Sequence, residues 1–333
     1  MAYDKKILAA ARRALERDRA AHTEELEARR RDVYARQPRI RAIDRELSTT
    51  AAAVLQAALR AGDDPSVAIA CLRDRNLALQ DERAALLREL GLPGDYLTAA
   101  PLCPKCGDTG YQGSATCGCV KERYARLLRE QLSVTLPVRD QNFAAFRLNL
   151  YSSRPDGRLG LSPRENMEDN LFRCKEYAKK FGTGSPNLLF TGSTGLGKTF
   201  LSTCIADAVS ARGFSVAYDT AINIVAAYET IKFGSGDGQA AAERAARYER
   251  ADLLIIDDMG TEMGTAFTVS ALYNLVNIRL MAGRPMIINT NLPPEALGEK
   301  YSPAVASRLL GEFEALRFFG DDIRMNKARK PLP

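Results

Sequence analysis

One short run of residues restricts the fold of this chain more than any other feature. It fits the pattern G-x-x-x-x-G-K-[ST] at every position and lies between a predicted buried strand at 187–191 and a predicted helix at 200–212. A glycine-rich turn in that place directs backbone N–H groups at phosphate oxygens. We therefore predict a site for ATP with Mg²⁺. The alternative is a strand–helix turn without a ligand. The run comprises Gly192, Ser193, Thr194, Gly195, Leu196, Gly197, Lys198 and Thr199.

Two residues of this run have predicted roles of their own. Lys198 is expected to reach the β- and γ-phosphates, and the hydroxyl of Thr199 is expected to bind Mg²⁺.

A second predicted strand ends in two acids. Residues 252–258 read Asp-Leu-Leu-Ile-Ile-Asp-Asp, and four consecutive aliphatic residues are typical of a strand that is covered on both faces. Parallel α/β sheets bind ligands at the carboxyl ends of their strands. We predict that Asp257 holds Mg²⁺, directly or through water, and that Asp258 orients or deprotonates the attacking water. Taken alone, the pattern also fits a core strand that ends in solvated acids.

Further polar residues follow in the same region. Residues 284–291 read as another buried strand, and Asn291 at its end can hydrogen-bond the γ-phosphate or the attacking water. An Asn before Leu-Pro also commonly forms a turn, which is the alternative role. Arg308 is predicted to lie exposed on a short helix at 304–311. Strands and helices alternate over 163–333, which predicts an α/β domain with a parallel sheet and helices on both faces.

Composition narrows the chemistry that remains. The chain has 333 residues, no tryptophan and a single histidine, so metal or acid–base chemistry built on histidine is nearly excluded. The net charge of +6 is a mild bias toward polyanions. No stretch approaches 18 apolar residues, and the N-terminus lacks the apolar core of a signal peptide. We expect a soluble, cytoplasmic protein with no membrane partner.

Four of the seven cysteines are clustered, as Cys-Pro-Lys-Cys-Gly followed by Cys-Gly-Cys. In a cytosolic chain such clustering favours a metal over disulfides, and four thiolates suit tetrahedral Zn²⁺. The C-x-C half is tighter than the usual C-x₂-C, so a redox pair or a metal-free loop stays open. A catalytic zinc is not indicated. The predicted zinc ligands are Cys103, Cys106, Cys117 and Cys119.

The chain divides into regions of different composition. Leu26, Val33, Ile40, Leu47 and Val54 recur every seven residues, which predicts helices that pair along a narrow seam, with a break at Pro38 and a turn at 62–65. This arm either docks another protein or is a solvated charged helix. The predicted regions are a helical coiled-coil-like arm at 1–94, a four-cysteine zinc module with a basic helix at 95–135, a linker at 136–162 whose aromatics pack on the next domain, and the ATPase domain at 163–333.

Five landmarks in a fixed order resemble a known family. Residues 163–333 are similar to the AAA+ ATPase domain of bacterial replicative-helicase loaders of the DnaC/DnaI type and of the related IstB transposition ATPases. The cysteine region resembles the Firmicute-type loaders more than the IstB proteins. The arm does not align with either. The landmarks are the glycine-rich run at 192–199, Ile-Ile-Asp-Asp at 255–258, Asn-Thr-Asn at 289–291, Ser-Arg-Leu at 307–309 and Asp-Ile-Arg at 322–324.

The resemblance implies roles for several residues. Arg308 is similar to an arginine finger that reaches ATP in a neighbouring subunit, which implies self-association in the ATP state, and Arg324 is similar to a second sensor arginine. The segment 220–250 resembles an initiator-type insertion that contacts single-stranded DNA. Lys232, Phe233 and Tyr228 there could offer charge and stacking, although both aromatics could equally be core.

The resemblance also implies the function. Many AAA+ proteins carry Asp-Glu where this chain has Asp257-Asp258, so hydrolysis is expected to be slow. We expect an ATP-driven switch that loads a hexameric replicative DNA helicase onto single-stranded DNA. The alternatives are an IstB-like ATPase helper of a DNA transposase, and an adaptor in which ATP only stabilises the fold.

Overall fold

The computed structural model describes residues 4–60, 66–135, 141–157, 160–234 and 236–324, so the turn predicted at 62–65 lies outside the described residues. The chain forms two compact units. One comprises Arg12–Cys119, and the other comprises Met1–Ala11 with Val120–Pro333. Within the described residues, no helix is long and apolar enough to cross a membrane.

The smaller unit is mainly helical. Pro38 begins the second helix, where its missing N–H is tolerated, so the predicted break is confirmed. Three of the heptad positions, Leu26, Val33 and Ile40, are buried. The elements here are α1 (Lys5–Arg36, whose start belongs to the larger unit), α2 (Pro38–Arg60), α3 (Ser66–Glu89), β1 (Tyr111–Gln112) and β2 (Ala115–Thr116).

Helices α2 and α3 lie side by side in opposite directions. Asp44 accepts a hydrogen bond from the Arg83 guanidinium at 2.7 Å, and Thr50 donates one to Asn76 at 2.9 Å. The predicted pairing of helices in this arm is therefore confirmed for α2 and α3, which run antiparallel.

The larger unit contains a five-stranded sheet in which every neighbouring pair is parallel, as predicted. The strand order is β4-β5-β6-β3-β7. The strands are β3 (Asn187–Thr191), β4 (Val216–Thr220), β5 (Leu253–Met259), β6 (Met286–Thr290) and β7 (Phe313–Arg317).

Helices cover both faces of this sheet. Adjacent residues of β3 point to different core clusters: Leu188 packs on the side that includes α5 and α6, and Leu189 on the side that includes α7, α9 and α11. The helices are α4 (Gly118–Thr135), α5 (Pro163–Lys180), α6 (Lys198–Ala211), α7 (Ala221–Phe233), α8 (Gly238–Arg250), α9 (Ala266–Met281), α10 (Pro294–Lys300) and α11 (Pro303–Gly311), with a 3-10 turn at Leu148–Leu150.

The basic helix α4 packs on the α/β domain that contains the five-stranded sheet. Leu132 is buried in the same cluster as the residues of α5 and α6, and Arg129 pairs with Asp207 of α6 at 2.6 Å. The division between the two compact units therefore falls at the start of α4, inside the region predicted at 95–135.

Candidate nucleotide-binding site

The glycine-rich loop follows β3 and runs directly into α6, as predicted. Gly192, Gly195 and Gly197 have φ angles of 146°, 75° and 95°, a region that side chains disfavour. Space is a second constraint, since a Cβ on Gly192 would lie 2.0 Å from the Phe318 carbonyl oxygen. One on Gly195 would lie 1.9 Å from an Asp322 carboxylate oxygen. These positions require glycine for their backbone angles and for their close neighbours.

Lys198 is only 8% exposed and folds back over the loop. Its Nζ donates hydrogen bonds to the carbonyl oxygens of Gly192, at 2.6 Å, and Ser193, at 2.7 Å. Burial lowers the pKa of Lys198, while the carboxylates of Asp258 and Asp257 act in the opposite direction. The ammonium group thus lies where the loop and the acidic strand end meet.

Asp257 is the centre of a hydrogen-bond network at the end of β5. Its Oδ1 accepts from the Thr199 hydroxyl at 3.2 Å, from the Asn289 amide at 2.8 Å and from the Asp258 backbone N–H at 3.0 Å. Its Oδ2 accepts from the Tyr218 hydroxyl. Hydroxyl and carboxylate oxygens are suitable ligands for Mg²⁺, so the pair Thr199–Asp257 fits the predicted magnesium site.

Sequence reasoning missed two members of this network. Asn289 is fully buried on β6 and bonds both Asp257 and the Ser202 hydroxyl, at 2.9 Å. Tyr218 lies on β4, on the other side of β5. Asn289 was part of the Asn-Thr-Asn landmark but had no predicted role of its own, and Tyr218 resembled an ordinary strand tyrosine.

Asp258 differs from Asp257 in its exposure and in its backbone. It is solvent-exposed and has a φ angle of 51°, in the left-handed region. Desolvation and the neighbouring Asp257 raise the pKa of Asp258, whereas Lys198 and Arg324 lower it. Asn291 is also exposed, and its Oδ1 lies 3.0 Å from the position that a Cβ on Gly260 would occupy. Asn291 therefore borders the loop that follows Asp258.

The segment after β7 packs on the glycine-rich loop. Phe318 N–H donates to Thr191 O at 2.7 Å, and Ile323 N–H donates to Gly195 O at 3.1 Å. The charge of Arg324 lowers the pKa values of both Lys198 and Asp258. The chain thus brings Arg324 to the same site as the loop and the acids.

Arg308 has a different setting. It lies in the last turn of α11 with a partly exposed side chain, and within the described ranges no carboxylate forms an ion pair with it. The charge of Arg308 does not contribute to the shifted pKa of Lys198 or of Asp258 in the same chain, whereas the charge of Arg324 contributes to both. This setting is compatible with a role at a neighbouring subunit.

Aromatic residues before α5 border the other side of the loop. The Tyr151 hydroxyl donates to Leu196 O at 3.1 Å and lies 2.6 Å from where a Cβ on Gly197 would be. Phe146 stacks on Tyr151 at 5.9 Å and meets Phe200 edge-on at 5.5 Å between ring centroids. The predicted packing of these aromatics on the domain that follows them is confirmed.

The helix pair α7–α8 presents one aromatic surface and buries another. The Tyr228 hydroxyl bonds Glu249 at 3.1 Å and the side chain packs against the core. Phe233 is 66% exposed and lies 5.5 Å from Phe267 of α9, and Lys232 Nζ lies 4.8 Å from the Phe267 ring centroid. The core alternative is thus correct for Tyr228 and wrong for Phe233, and Phe267 is a member that the sequence did not indicate.

The four clustered cysteines converge on one point in the smaller unit. Their sulfurs all lie within 4.8 Å of one another, with 3.9 Å between Cys103 and Cys117 and 3.6 Å between Cys106 and Cys119. Four sulfurs at about 2.3 Å from one tetrahedral Zn²⁺ would be roughly 3.8 Å apart, so the residues fit this ion. Although burial raises it, the Gly110 backbone and the neighbouring thiols lower the pKa of Cys106 to about 7, which favours the thiolate that zinc requires.

Comparisons with known proteins agree with this site. Residues 177–330 match the family model described as IstB-like ATP binding protein. The replicative helicase loader DnaC of Escherichia coli (strain K12) is 26% identical over 140 residues, which cover 41% of this chain and 56% of DnaC. A Mycobacterium tuberculosis protein, described by its name as ATP-binding and in an insertion sequence, is 28% identical over 125 residues, 37% of this chain and 48% of that protein.

A solved structure is similar to part of the chain. The crystal structure of the DnaC helicase loader matches with a TM-score of 0.45 and 16% identity, and covers 55% of this chain and 99% of that one. The sequence matches span about half the length of the curated relatives. The resemblance to DnaC-type loaders and to IstB-like ATP-binding proteins is thus confirmed at the level of sequence, and for the IstB-like family it covers residues 177–330, which contain the glycine-rich loop and most of the parallel α/β domain.

Proposed function

We propose that this chain is an ATP-driven switch that loads a hexameric replicative DNA helicase onto single-stranded DNA in the cytoplasm. The observation that carries this proposal is the assembly of Lys198, Thr199 and Asp257 at one sheet edge, in a domain whose sequence is similar to a helicase loader. That edge has the parts that a P-loop ATPase requires.

ATP would bind with its phosphates against the backbone N–H groups of the loop. Lys198 would exchange its contacts with the Gly192 and Ser193 carbonyl oxygens for the β- and γ-phosphates. Thr199 and Asp257 would hold Mg²⁺, directly or through water, and the ion would neutralise phosphate charge. Phe146, which is partly exposed and stacks on the buried Tyr151, would offer an apolar surface for the base beside the loop.

Hydrolysis would use residues from two subunits. Asp258 would orient the attacking water or take its proton, and Asn291 would bond that water or the γ-phosphate. Arg308, without an ion-pair partner in the described part of its own chain, would reach the γ-phosphate of a neighbour, so ATP would promote self-association. Arg324 would sense the nucleotide in its own subunit. Asp258 is one methylene shorter than glutamate, so turnover would be slow, as suits a switch.

The surface formed by Phe233, Phe267 and Lys232 would contact single-stranded DNA. Aromatic side chains stack on unpaired bases, and a lysine beside them attracts the phosphate backbone. Phe233→Ala is expected to reduce affinity for an oligonucleotide by about 5- to 150-fold, which corresponds to about 1–3 kcal/mol for one stacked base. Phe172, which is 64% exposed on α5, supplies the matched control, since Phe172→Ala should leave this affinity unchanged.

The four cysteines would hold a structural zinc in a small module, and either the helical arm or this module would contact the helicase. The exposed charged side chains described on α1 to α3, and the polar contacts between α2 and α3, favour a docking role over a catalytic one. Which of the two parts makes the contact is an outcome of the experiment below.

A pull-down with the hexameric replicative helicase of the same host tests the proposal. The wild-type chain should retain the helicase with ATP, and ATP with single-stranded DNA should lead to transfer of the helicase onto the DNA. Deletion of 1–94, and separately substitution of the cysteines, would show which part binds. Failure to retain the helicase in any nucleotide state would contradict a loader.

A second candidate is an ATPase helper of a DNA transposase. The match to an IstB-like family model and the similarity to a protein of an insertion sequence favour it. ATP-dependent assembly on duplex DNA, with capture of a transposase and not of the helicase, would support this function in place of the first.

A further inference from the structure

A buried carboxylate that none of these roles uses lies in the loop between β5 and α9. Glu262 is 6% exposed, and both of its carboxylate oxygens accept hydrogen bonds. Oε2 accepts from the backbone N–H of Gly260 at 3.0 Å, and Oε1 accepts from the Tyr301 hydroxyl. Burial and this bond raise the pKa of Tyr301 far above its usual value, so the phenol stays a donor at physiological pH.

Lys300, next to Tyr301, holds the backbone of the same loop. Its Nζ donates to the carbonyl oxygen of Gly260 and to that of Glu262, the latter at 3.0 Å. Two consecutive residues at the end of α10 thus bind the loop: Tyr301 binds the Glu262 side chain, and Lys300 binds the main chain. We call Glu262, Lys300 and Tyr301 the brace.

The loop that the brace holds has an unfavourable backbone. Asp258 has a φ angle of 51° and Gly260 one of 114°. The carbonyl oxygen of Asp258 accepts from the N–H and the hydroxyl of Thr261, at 3.2 and 2.8 Å. A left-handed residue other than glycine persists where the surrounding structure holds it, and such residues concentrate at functional sites.

The brace also joins this loop to the helix that carries Arg308. Tyr301 is followed by Ser302, whose hydroxyl caps α11 by accepting from the Val305 N–H at 3.3 Å. Tyr301 and Met259 belong to one buried cluster with Leu309 of α11. Residues proposed to act at two different ATP molecules, Asp258 and Arg308, are therefore connected within one chain through the brace.

We propose that Glu262, Lys300 and Tyr301 are positioning residues that hold Asp258 in its left-handed conformation, ready to act on the attacking water. This inference rests on the proposed function, because it takes Asp258 as the acid of hydrolysis. None of the three residues has a described contact with the glycine-rich loop, so each acts through Asp258 and not on the phosphates.

Two variants remove the brace with little change in volume. Tyr301→Phe deletes the hydroxyl alone, and Lys300→Met deletes both bonds of the ammonium group. Each should lower kcat for ATP about 10- to 100-fold, the effect of a small misplacement of a catalytic group. Affinity for ATP with Mg²⁺ should stay within about twofold of wild type, because the phosphate contacts are untouched.

Tyr248→Phe is the matched control. Tyr248 is also buried and also donates its hydroxyl to a carboxylate, that of Asp219 at 2.7 Å, but it lies outside the loop. Loss of the Tyr248 hydroxyl should lower the melting temperature about as much as Tyr301→Phe does, and it should leave kcat unchanged. A fall in kcat and in ATP affinity together, in both tyrosine variants, would mean a general structural effect and would overturn the inference.

A combined variant separates positioning from other effects. In the Asp258→Asn background, Tyr301→Phe should not lower the residual hydrolysis further, because the group that it positions is gone. An equal fall in both backgrounds would contradict the inference, and so would wild-type kcat in both Tyr301→Phe and Lys300→Met.

Amide hydrogen exchange over residues 257–265 tests the brace without any hydrolysis. Exchange should be faster in Tyr301→Phe and Lys300→Met than in wild type and in Tyr248→Phe. If the wild-type chain bound ATP but did not hydrolyse it, the proposed ATPase activity would fail, and this exchange measurement would still decide whether the brace holds the loop. Unchanged exchange would overturn the brace.

Discussion

The nucleotide site and the four-cysteine cluster obtain their geometry in different ways. The nucleotide site lies at the carboxyl ends of the strands of a five-stranded sheet, and hydrogen bonds between protein atoms connect its groups. Lys198 bonds the loop carbonyl oxygens, and Asp257 bonds Thr199 and Asn289. Three of the cysteines lie in turns around two strands of only two residues each, and Cys119 lies in the first turn of α4. Their sulfurs contact mainly one another.

This difference indicates which of the two sites depends on its ligand for its shape. A large buried core can keep a site in shape through packing alone, whereas a segment too small for a core of its own usually needs a metal or a disulfide. The nucleotide site should therefore keep its shape without nucleotide, and the cysteine segment should lose its shape without zinc. The predictions below test the two sides of this contrast, beginning with the largest expected effect.

Lys198→Ala should abolish ATP binding while the domain stays folded. Lys198 is the only lysine of the loop. Its ammonium group makes two hydrogen bonds there, both to carbonyl oxygens, and these oxygens can bind solvent when the side chain is removed. Titration with a fluorescent ATP analogue measures the affinity, and the far-UV circular dichroism checks the fold. Lys180→Ala is the control, since that side chain is 76% exposed and remote from the loop. Unchanged affinity in Lys198→Ala would remove the nucleotide assignment.

Arg308→Ala should retain ATP binding and lose hydrolysis by about 10³–10⁵-fold, the typical effect of an arginine finger. Mixing it with Lys198→Ala should restore part of the activity where subunits exchange. A mixed interface can pair an intact loop from one variant with an intact arginine from the other. Normal hydrolysis and assembly by Arg308→Ala alone would mean that Arg308 is an ordinary surface residue.

Asp258→Asn should change the free energy of unfolding only slightly, and it should increase it. Burial and the charge of Asp257 raise the pKa of Asp258, so its ionised form is disfavoured in the folded state. For an acid whose folded pKa is raised, stability is lost as the pH rises from the unfolded pKa through the folded pKa, so the ionised form carries a penalty. The neutral asparagine removes this penalty, which for a partly exposed group is within about 0.5 kcal/mol.

Thermal unfolding at neutral pH, without Mg²⁺ and nucleotide, checks this prediction. The variant should melt at an equal or slightly higher temperature than wild type while its hydrolysis is lost. A clear decrease in melting temperature would mean that the Asp258 carboxylate stabilises the loop, which is the opposite of the expected effect.

Sequence alone predicted those parts of the site that are contiguous in the chain. The glycine-rich run, the acidic strand end and the parallel sheet were correct because periodicity and local motifs specify them directly. The contacts of Asn289 and Tyr218 with Asp257 depend on strand order, which no local pattern gives. The packing of Asp322 on Gly195 was equally hidden, since it joins two segments that are far apart in sequence.

Exposure on a helix was the other limit. Phe233 and Tyr228 lie on the same helix, and only the position of α8 and α9 decides that one contacts the core and the other faces solvent beside Phe267. The predicted roles of Asp258, Asn291, Arg308 and Arg324 stay predictions. Their places in the structure are compatible with those roles, and only kinetic measurements test them.

One titration tests the contrast between the two sites most directly: the ATP affinity of zinc-loaded and zinc-free protein. We expect about one Zn²⁺ per chain, released by a chelator or by Cys103→Ser, with increased proteolysis around residues 100–120. The ATP affinity of the zinc-free protein should equal that of the loaded protein within about twofold, because the described contacts of the nucleotide site lie in the larger unit. This contrast would be contradicted if removal of the zinc also abolished ATP binding, or if protein prepared under reducing conditions contained no zinc.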